Sequence, residues 1–366
     1  MGEKLKDWWW AFTKNRPAKI AVSVVAVLLV ASGSVGAWYW SQHQAISTNS
    51  NTVTNSGNVN TAKTGTVRRH IDGVAVAAEA SNYLPIGLMV ENLVTVRPQS
   101  GLGQANVVYE TLAEGGITRF LAIYASGDPL TRVGPIRSAR SYYVDLAEEY
   151  GGLYGHVGGS PQALGVLGSE NYMTDFNQFS YSQFYYRDQA IEAPHNVFTT
   201  SELLGYALRD LKLDQAMGDY TPYQFKDVLV KSDRPTDVKP IAINFSNADY
   251  AVEWRYDIDH DQYLRWNGGQ EHTDANTGDQ LTARNIVVQW VDSSLLEPDT
   301  GRLDITTMGT GDALLFQDGV VVTGTWSKTT RGDRTEFLDS TGQPMVFNPG
   351  TTWIELVPKG NTVTYQ

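Results

Sequence analysis

The sequence predicts an α/β domain followed by a mainly antiparallel β domain, preceded by one transmembrane helix. Three observations carry this prediction. Ile20 to Trp40 holds no charged residue and is about as long as a helix needs to cross roughly 30 Å of hydrocarbon. Between Arg68 and about Leu213, apolar runs of strand length alternate with stretches of helical period. From Pro240 onward, short β-branched and aromatic runs are separated by Asn-Gly-Gly, Asp-Gly, Thr-Gly and Asn-Pro-Gly turns.

Residues 1–19 contain five basic and two acidic side chains, and no charge follows Trp40 closely. This asymmetry places 1–19 in the cytoplasm as a basic tail, 20–40 across the membrane and the remainder outside. Trp38, Tyr39 and Trp40 suit an outer interfacial belt. The alternative is a secreted chain cleaved near Ala37, where Val35-Gly36-Ala37 resembles a small-residue processing site. Residues 41–66 are Ser, Thr, Asn, Gln and Gly with almost no apolar bulk. They cannot offset chain entropy by burial and read as a disordered tether.

The first exported domain is expected over 67–235, with strands at Ile86–Val90, Asn106–Tyr109 and Arg119–Ala125. Ser138–Tyr150 has apolar residues near helical spacing and predicts an amphipathic helix. Thr199 and Glu202 form a capping-box pattern before SELLGYALRDL. The second domain, 236–366, is expected to hold strands at Ile241–Phe245, Ala251–Tyr256, Tyr263–Trp266, Asn285–Val291, Val320–Trp326 and Trp353–Val357. Asp318-Gly319 before VVVTGTW is the strongest hairpin signal.

Composition narrows the function. With no Cys in 366 residues, thiol nucleophiles, Cys-ligated metals and disulfides are excluded. The formal charge of -12 argues against nucleic acid, whose binding rests on Lys and Arg at phosphates. There is no Gly-x-Ser-x-Gly, Ser-x-x-Lys, Gly-x-x-x-x-Gly-Lys or His-Glu-x-x-His motif, so no metal or cofactor is expected.

The densest polar stretch is RVGPIRSARSYY. There Arg132, Arg137 and Arg140 lie beside Ser138 at an expected helix start, where free N–H groups and guanidinium forks suit an anion. The simpler alternative is ion pairing with Asp145, Glu148, Glu149 or more distant acids. In GHVGGSPQAL, His156 precedes a turn in which Ser160 should cap a helix opening at Pro161. Pro194-His195-Asn196 reads as a loop end that caps the next helix, or as an imidazole and an amide at a pocket rim. Glu110 and Glu114 could act as acid and base in one cavity, or hold the arginines in place.

The order PIGLMVENLVTVRPQSGLGQANVVYETLAEGGITRFLAIY, RVGPIRSARSYYVDLAEEY, GHVGGSPQAL and APHNVF resembles the amino-terminal domain of the YerB-like family of bacterial exported proteins. YLRWNGGQEHTDANTGDQLTARNIVVQW, GDALLFQDGVVVTGTWSK and NPGTTWIELVP resemble its carboxy-terminal domain. The resemblance implies a two-domain, extracytoplasmic envelope protein and supplies no reaction. Many such proteins look like lipoproteins anchored through a Cys; this chain has none, so a membrane helix would be its anchor. A fainter likeness, in VGPIRSAR and GHVGGSPQALGVL, is to the LytR-CpsA-Psr envelope phosphotransferases. Ser138 stands where that family's arginine motif continues with aspartate. The expected role is therefore binding rather than catalysis: of an anionic wall or lipid-linked glycan component, or of a wall-synthesis partner. The alternatives are an envelope phosphotransferase or hydrolase, and an assembly scaffold for proteins.

Overall fold

The computed structural model describes residues 65–169 and 173–365. The basic tail at 1–19, the span at 20–40 and the tether at 41–64 lie outside these residues. Among the described residues no helix is long and apolar enough to cross a membrane. Thr66, at the end of the expected tether, already belongs to a short strand, Thr66–Arg68, paired with Ala75–Ala77.

The described chain is mostly β with few helices. Its principal strands are β1 (Pro85–Glu91), β2 (Val107–Leu112), β3 (Thr118–Ala125), β4 (Leu153–His156), β5 (Thr174–Asn177), β6 (Ile241–Asn244), β7 (Ala251–Asp257), β8 (Gln262–Asn267), β9 (Asn285–Val291), β10 (Gly309–Gln317), β11 (Val320–Lys328), β12 (Glu336–Asp339), β13 (Thr352–Pro358) and β14 (Val363–Thr364). The α-helices are α1 (Ser141–Glu148), α2 (Pro161–Ser169) and α3 (Ser201–Asp210).

Ten strands form one sheet in the order β12-β11-β10-β9-β13-β2-β3-β1-β4-β5. The two halves expected from the sequence meet inside it, where β13 pairs in parallel with β2 from Thr352↔Val107 to Glu355↔Glu110. Strands buried on both faces lose the polar alternation of a half-exposed sheet, which is why β1, β3 and β13 are buried throughout. One face packs Met89, Tyr109, Leu121 and Ile354 with Tyr142, Tyr143 and Leu146 of α1. The other packs Leu88, Val108, Phe120 and Trp353 against Leu204 and Leu208 of α3 and against a smaller sheet. That smaller sheet runs Gln270–Glu271, β8, β7, β6, β14, with Thr282–Ala283 also on β8.

The hairpin expected at Asp318-Gly319 joins β10 to β11, and both residues have positive φ, 53° and 75°, as a type I′ turn requires. Two helix starts differ from expectation. α1 opens at Ser141, three residues late, because the backbone of 137–139 is committed to strand-like pairing. Arg137 N donates to Met89 O at 2.9 Å and Ala139 N to Gly158 O at 3.0 Å. The cap of α3 is Thr200, whose hydroxyl accepts from Leu203 N at 3.2 Å, and neither His195 nor Asn196 caps it. The hydroxyl of Thr199 donates instead to Phe184 O.

Candidate functional site

β1, β2, β4, β5, β9 and β13 all point the same way, so their carboxyl ends share one edge with the start of antiparallel β3. In open sheets with parallel strands, ligands collect at this edge. Segment 133–139 crosses it, and both α1 and α2 begin there. Ser160 Oγ accepts from Ala163 N at 3.2 Å, capping α2 as its position before Pro161 predicts.

Alternation along the strands sets which side chains meet. Glu91 on β1 and Arg119 on β3 are cross-strand partners on the face that carries α1. Arg137 Nε lies 3.1 Å from Glu91 Oε1, and His195 Nδ1 lies 2.8 Å from Glu91 Oε2. Arg137 also donates to Pro194 O at 3.3 Å. Arg140 hydrogen-bonds Glu114, whose other oxygen is 3.6 Å from Arg119. Arg119 in turn donates to Ser138 O at 2.8 Å. Three guanidinium groups thus face two carboxylates. Burial, with the charge of Arg140 and then that of Arg137, lowers the pKa of Arg119 despite Glu114. Burial would raise Glu114, but the hydrogen bond and charge of Arg140 outweigh it and hold the carboxyl below its usual range.

At the end of β4 lies a buried imidazole paired with a half-exposed carboxylate. His156 is fully buried, with Nδ1 2.7 Å from Gly158 O and Nε2 2.7 Å from Asp175 Oδ1. The Gly158 carbonyl can only accept, so Nδ1 donates to it. The Tyr154 ring is 5.1 Å from the imidazole. Its hydroxyl is buried and has no hydrogen-bond partner among the described residues. Burial pushes that phenol well above its ordinary pKa, and the charges that pull it back are Arg119 and Arg140.

The edge thus gathers Arg137, Ser138, Arg140, Glu114, His156, Ser160 and His195, and leaves three expected site residues elsewhere. Arg132 pairs with Asp188 at 2.9 Å and covers the Phe198 ring at 3.6 Å. Asn196 accepts from Arg187 at 2.8 Å and belongs to the same loop cluster. Glu110 does not join Glu114, because as a neighbour of Val108's row it faces the opposite side of the sheet. There it hydrogen-bonds Arg265, which also reaches Glu355 at 2.9 Å. Arg265 lies 5.0 Å from the Trp254 ring and 4.3 Å from the Trp353 ring. Nor do the arginines of the edge pair with Asp145, Glu148 or Glu149. Those acids meet Arg331, Lys328 and Arg334.

Glu91, Arg119 and Tyr154 are members of the site that sequence reading missed. Arg119 and Tyr154 look like strand residues in ITRFLAIY and GLYGH. The available signal was a charged or polar group at the end of each apolar run, where strands reach the sheet edge.

Comparison with known proteins places this geometry in a family. Residues 72–214 match the N-terminal domain, and 241–354 the C-terminal domain, of a family described as a protein of unknown function, DUF3048. The YerB protein of Bacillus subtilis (strain 168), named as a candidate lipoprotein, is 34% identical over 292 residues, or 79% of this chain and 85% of that one. The chain belongs to the YerB-like family. A crystal structure of YerB from Bacillus subtilis matches it with a TM-score of 0.72 at 29% identity, covering 81% of this chain and 99% of the other. The two family domains lie on either side of the segment between α3 and β6, and both contribute strands to the ten-stranded sheet.

Proposed function

We propose that this YerB-like protein is held at the outer face of the membrane and binds an anionic, lipid-linked envelope component at the edge formed by Arg119, Arg137 and Arg140. The observation that carries this reading is three guanidinium groups set against two carboxylates, near a buried Tyr154 hydroxyl that has no partner among the described residues. An incoming phosphate or carboxylate oxygen would satisfy that donor, and a charge-assisted hydrogen bond is worth about 1.5–3 kcal/mol. Phe179 is 70% exposed and packs over Gly158, where a Cβ would lie 3.0 Å from its ring. Its ring offers an apolar surface beside the charges, as an amphiphile needs. The Bacillus relative carries a lipoprotein name, and this chain has no Cys to acylate. The apolar run 20–40 is therefore the anchor we assign, with 1–19 on the cytoplasmic side.

The test is binding of the full chain, in mild detergent, to prenyl diphosphates, poly(glycerol phosphate) and muropeptides. Arg137→Ala combined with Arg140→Ala is expected to weaken the tightest ligand by about 100-fold or more, from two lost charge-assisted bonds. Unchanged affinity in that variant removes the site from the account. A second reading, an envelope phosphotransferase or hydrolase, is favoured by the Glu91 carboxylate 3.1 Å from Arg137 and the His156–Asp175 pair. Turnover of a bound diphosphate, abolished by Glu91→Gln, would select it. Absence of every ligand in the panel would move the function to protein partners.

A further inference from the structure

We propose a second ligand site, at the carboxyl end of α1, that takes a monoanionic carboxylate with an apolar body: the free C-terminal residue of a short peptide. A cavity of about 420 Å³ opens between segment 221–224 and the β11–β12 hairpin, within the range of roughly 300–1,000 Å³ usual for small-ligand pockets. Its apolar wall includes Tyr223, Phe337 and Met345, the last two buried. Its polar feature is Arg334, whose guanidinium is clasped between the rings of Tyr150 at 4.1 Å and Tyr223 at 4.3 Å.

The clasp fixes how the arginine can act. Nη1 is held by Glu149 at 3.2 Å and by the Tyr109 hydroxyl at 3.3 Å. Tyr223 is itself anchored through its hydroxyl on Thr335 O at 3.1 Å. Nε is buried and meets no acceptor among the described residues. A buried donor left unmade costs about 1–3 kcal/mol, so Arg334, which lines the cavity, carries an unsatisfied guanidinium donor beside it. A planar carboxylate suits such a donor.

Charge selects among anions. Lys328 is already committed to Glu149 at 2.9 Å and to Asp145 O at 2.7 Å. Asp333 and Glu336 line the cavity. Two cations therefore face three carboxylates, counting Glu149. That surplus of negative charge repels a dianionic phosphate more strongly than a monoanion, which can pair with Arg334 while its side chain packs on Tyr223 and Phe337. The site is separate from the arginine edge: α1 has eight residues, about 12 Å of helix, and the two sites lie at its opposite ends.

The experiment is calorimetric titration of the full chain in mild detergent with N-acetyl-alanyl-alanine, its C-terminal amide and inorganic phosphate. Saturable binding of the acid is expected, with the amide and phosphate about 10-fold weaker or more. Arg334→Lys keeps the positive charge beside Glu149 but removes the planar edge. Thr221→Trp crowds the cavity from an exposed lining position outside the strands and leaves the ion network alone. Each should weaken the acid about 10-fold or more, and Arg137→Ala with Arg140→Ala should leave it unchanged. No saturable binding of the acid below ~10 mM, equal affinity for the amide, or unaltered binding in Thr221→Trp would overturn the proposal.

Discussion

Replacing Glu355 with Gln should stabilise the fold at neutral pH and leave it nearly unchanged at mildly acidic pH. Glu110, Glu355 and Arg265 are all fully buried, so one guanidinium serves two carboxyl groups. Burial, and next the neighbouring Glu110, push Glu355 up to about 8 against the pull of Arg265 and the Trp254 hydrogen bond. A carboxyl whose folded value exceeds its unfolded value binds its proton more tightly when folded. Its stabilisation is complete below about 4.5 and is lost as the pH rises through about 8. At about 1.36 kcal/mol per pH unit, the wild type should lose about 2 kcal/mol between roughly pH 5.5 and 7.5 from this group alone. Gln keeps Oε1 as acceptor for Trp254 Nε1 and Arg265 Nη1, both at 2.9 Å. Its amide stands where the protonated Oε2 would otherwise face Glu110, an atom with no other partner among the described residues. Urea unfolding followed by tryptophan fluorescence suits the test, since Trp254 and Trp353 lie against the cluster. The advantage of Glu355→Gln over wild type should grow by about 2 kcal/mol across that pH interval. Parallel pH profiles would refute the shared-proton reasoning.

Other perturbations follow from the same geometry. Arg265→Met should cost about 3–5 kcal/mol in unfolding free energy, because it strands two buried carboxyl groups; a loss below ~1 kcal/mol would mean that water reaches them. Ser160→Ala removes the cap of α2 and should cost about 1 kcal/mol, measurable by the same unfolding assay. Glu114→Gln releases Arg140 and Arg119 from a competing anion, and should tighten ligand binding at the edge about two- to fivefold. Since Glu114 titrates below its usual range, its own contribution to stability is present above that range and disappears as pH falls through the lowered value. Wild-type anion binding should strengthen over the same acid interval.

Much of the fold was legible because buried strands are announced by their own composition. Asn285–Val291 is a strand over the residues expected, and Asp318-Gly319 turns as its chemistry requires. The late start of α1 was not legible, because Arg137 and Ala139 make backbone bonds to β1 and to the turn at Gly158, contacts far apart in sequence. The same limit governs the site. Alternation shows that Glu110 and Tyr109 face opposite ways, but only the pairing of β2 with β13 shows that Glu110 meets Arg265 across the core. Arg137, Arg140 and His156 stood out because they cluster near glycines in short motifs. Arg119 and Glu91 did not, since what joins them is the register of two strands separated by 26 intervening residues.

The arginine edge is the central claim, and its most direct test is the side-chain Nε–H spectrum of the full chain labelled with 15N-arginine, recorded while a short prenyl diphosphate is added. The account predicts that the resonances of Arg119, Arg137 and Arg140 shift together and saturably, while that of Arg132, held by Asp188 and Phe198, stays in place. Movement of Arg132 without the other three, or no saturable shift in any of them, would contradict it.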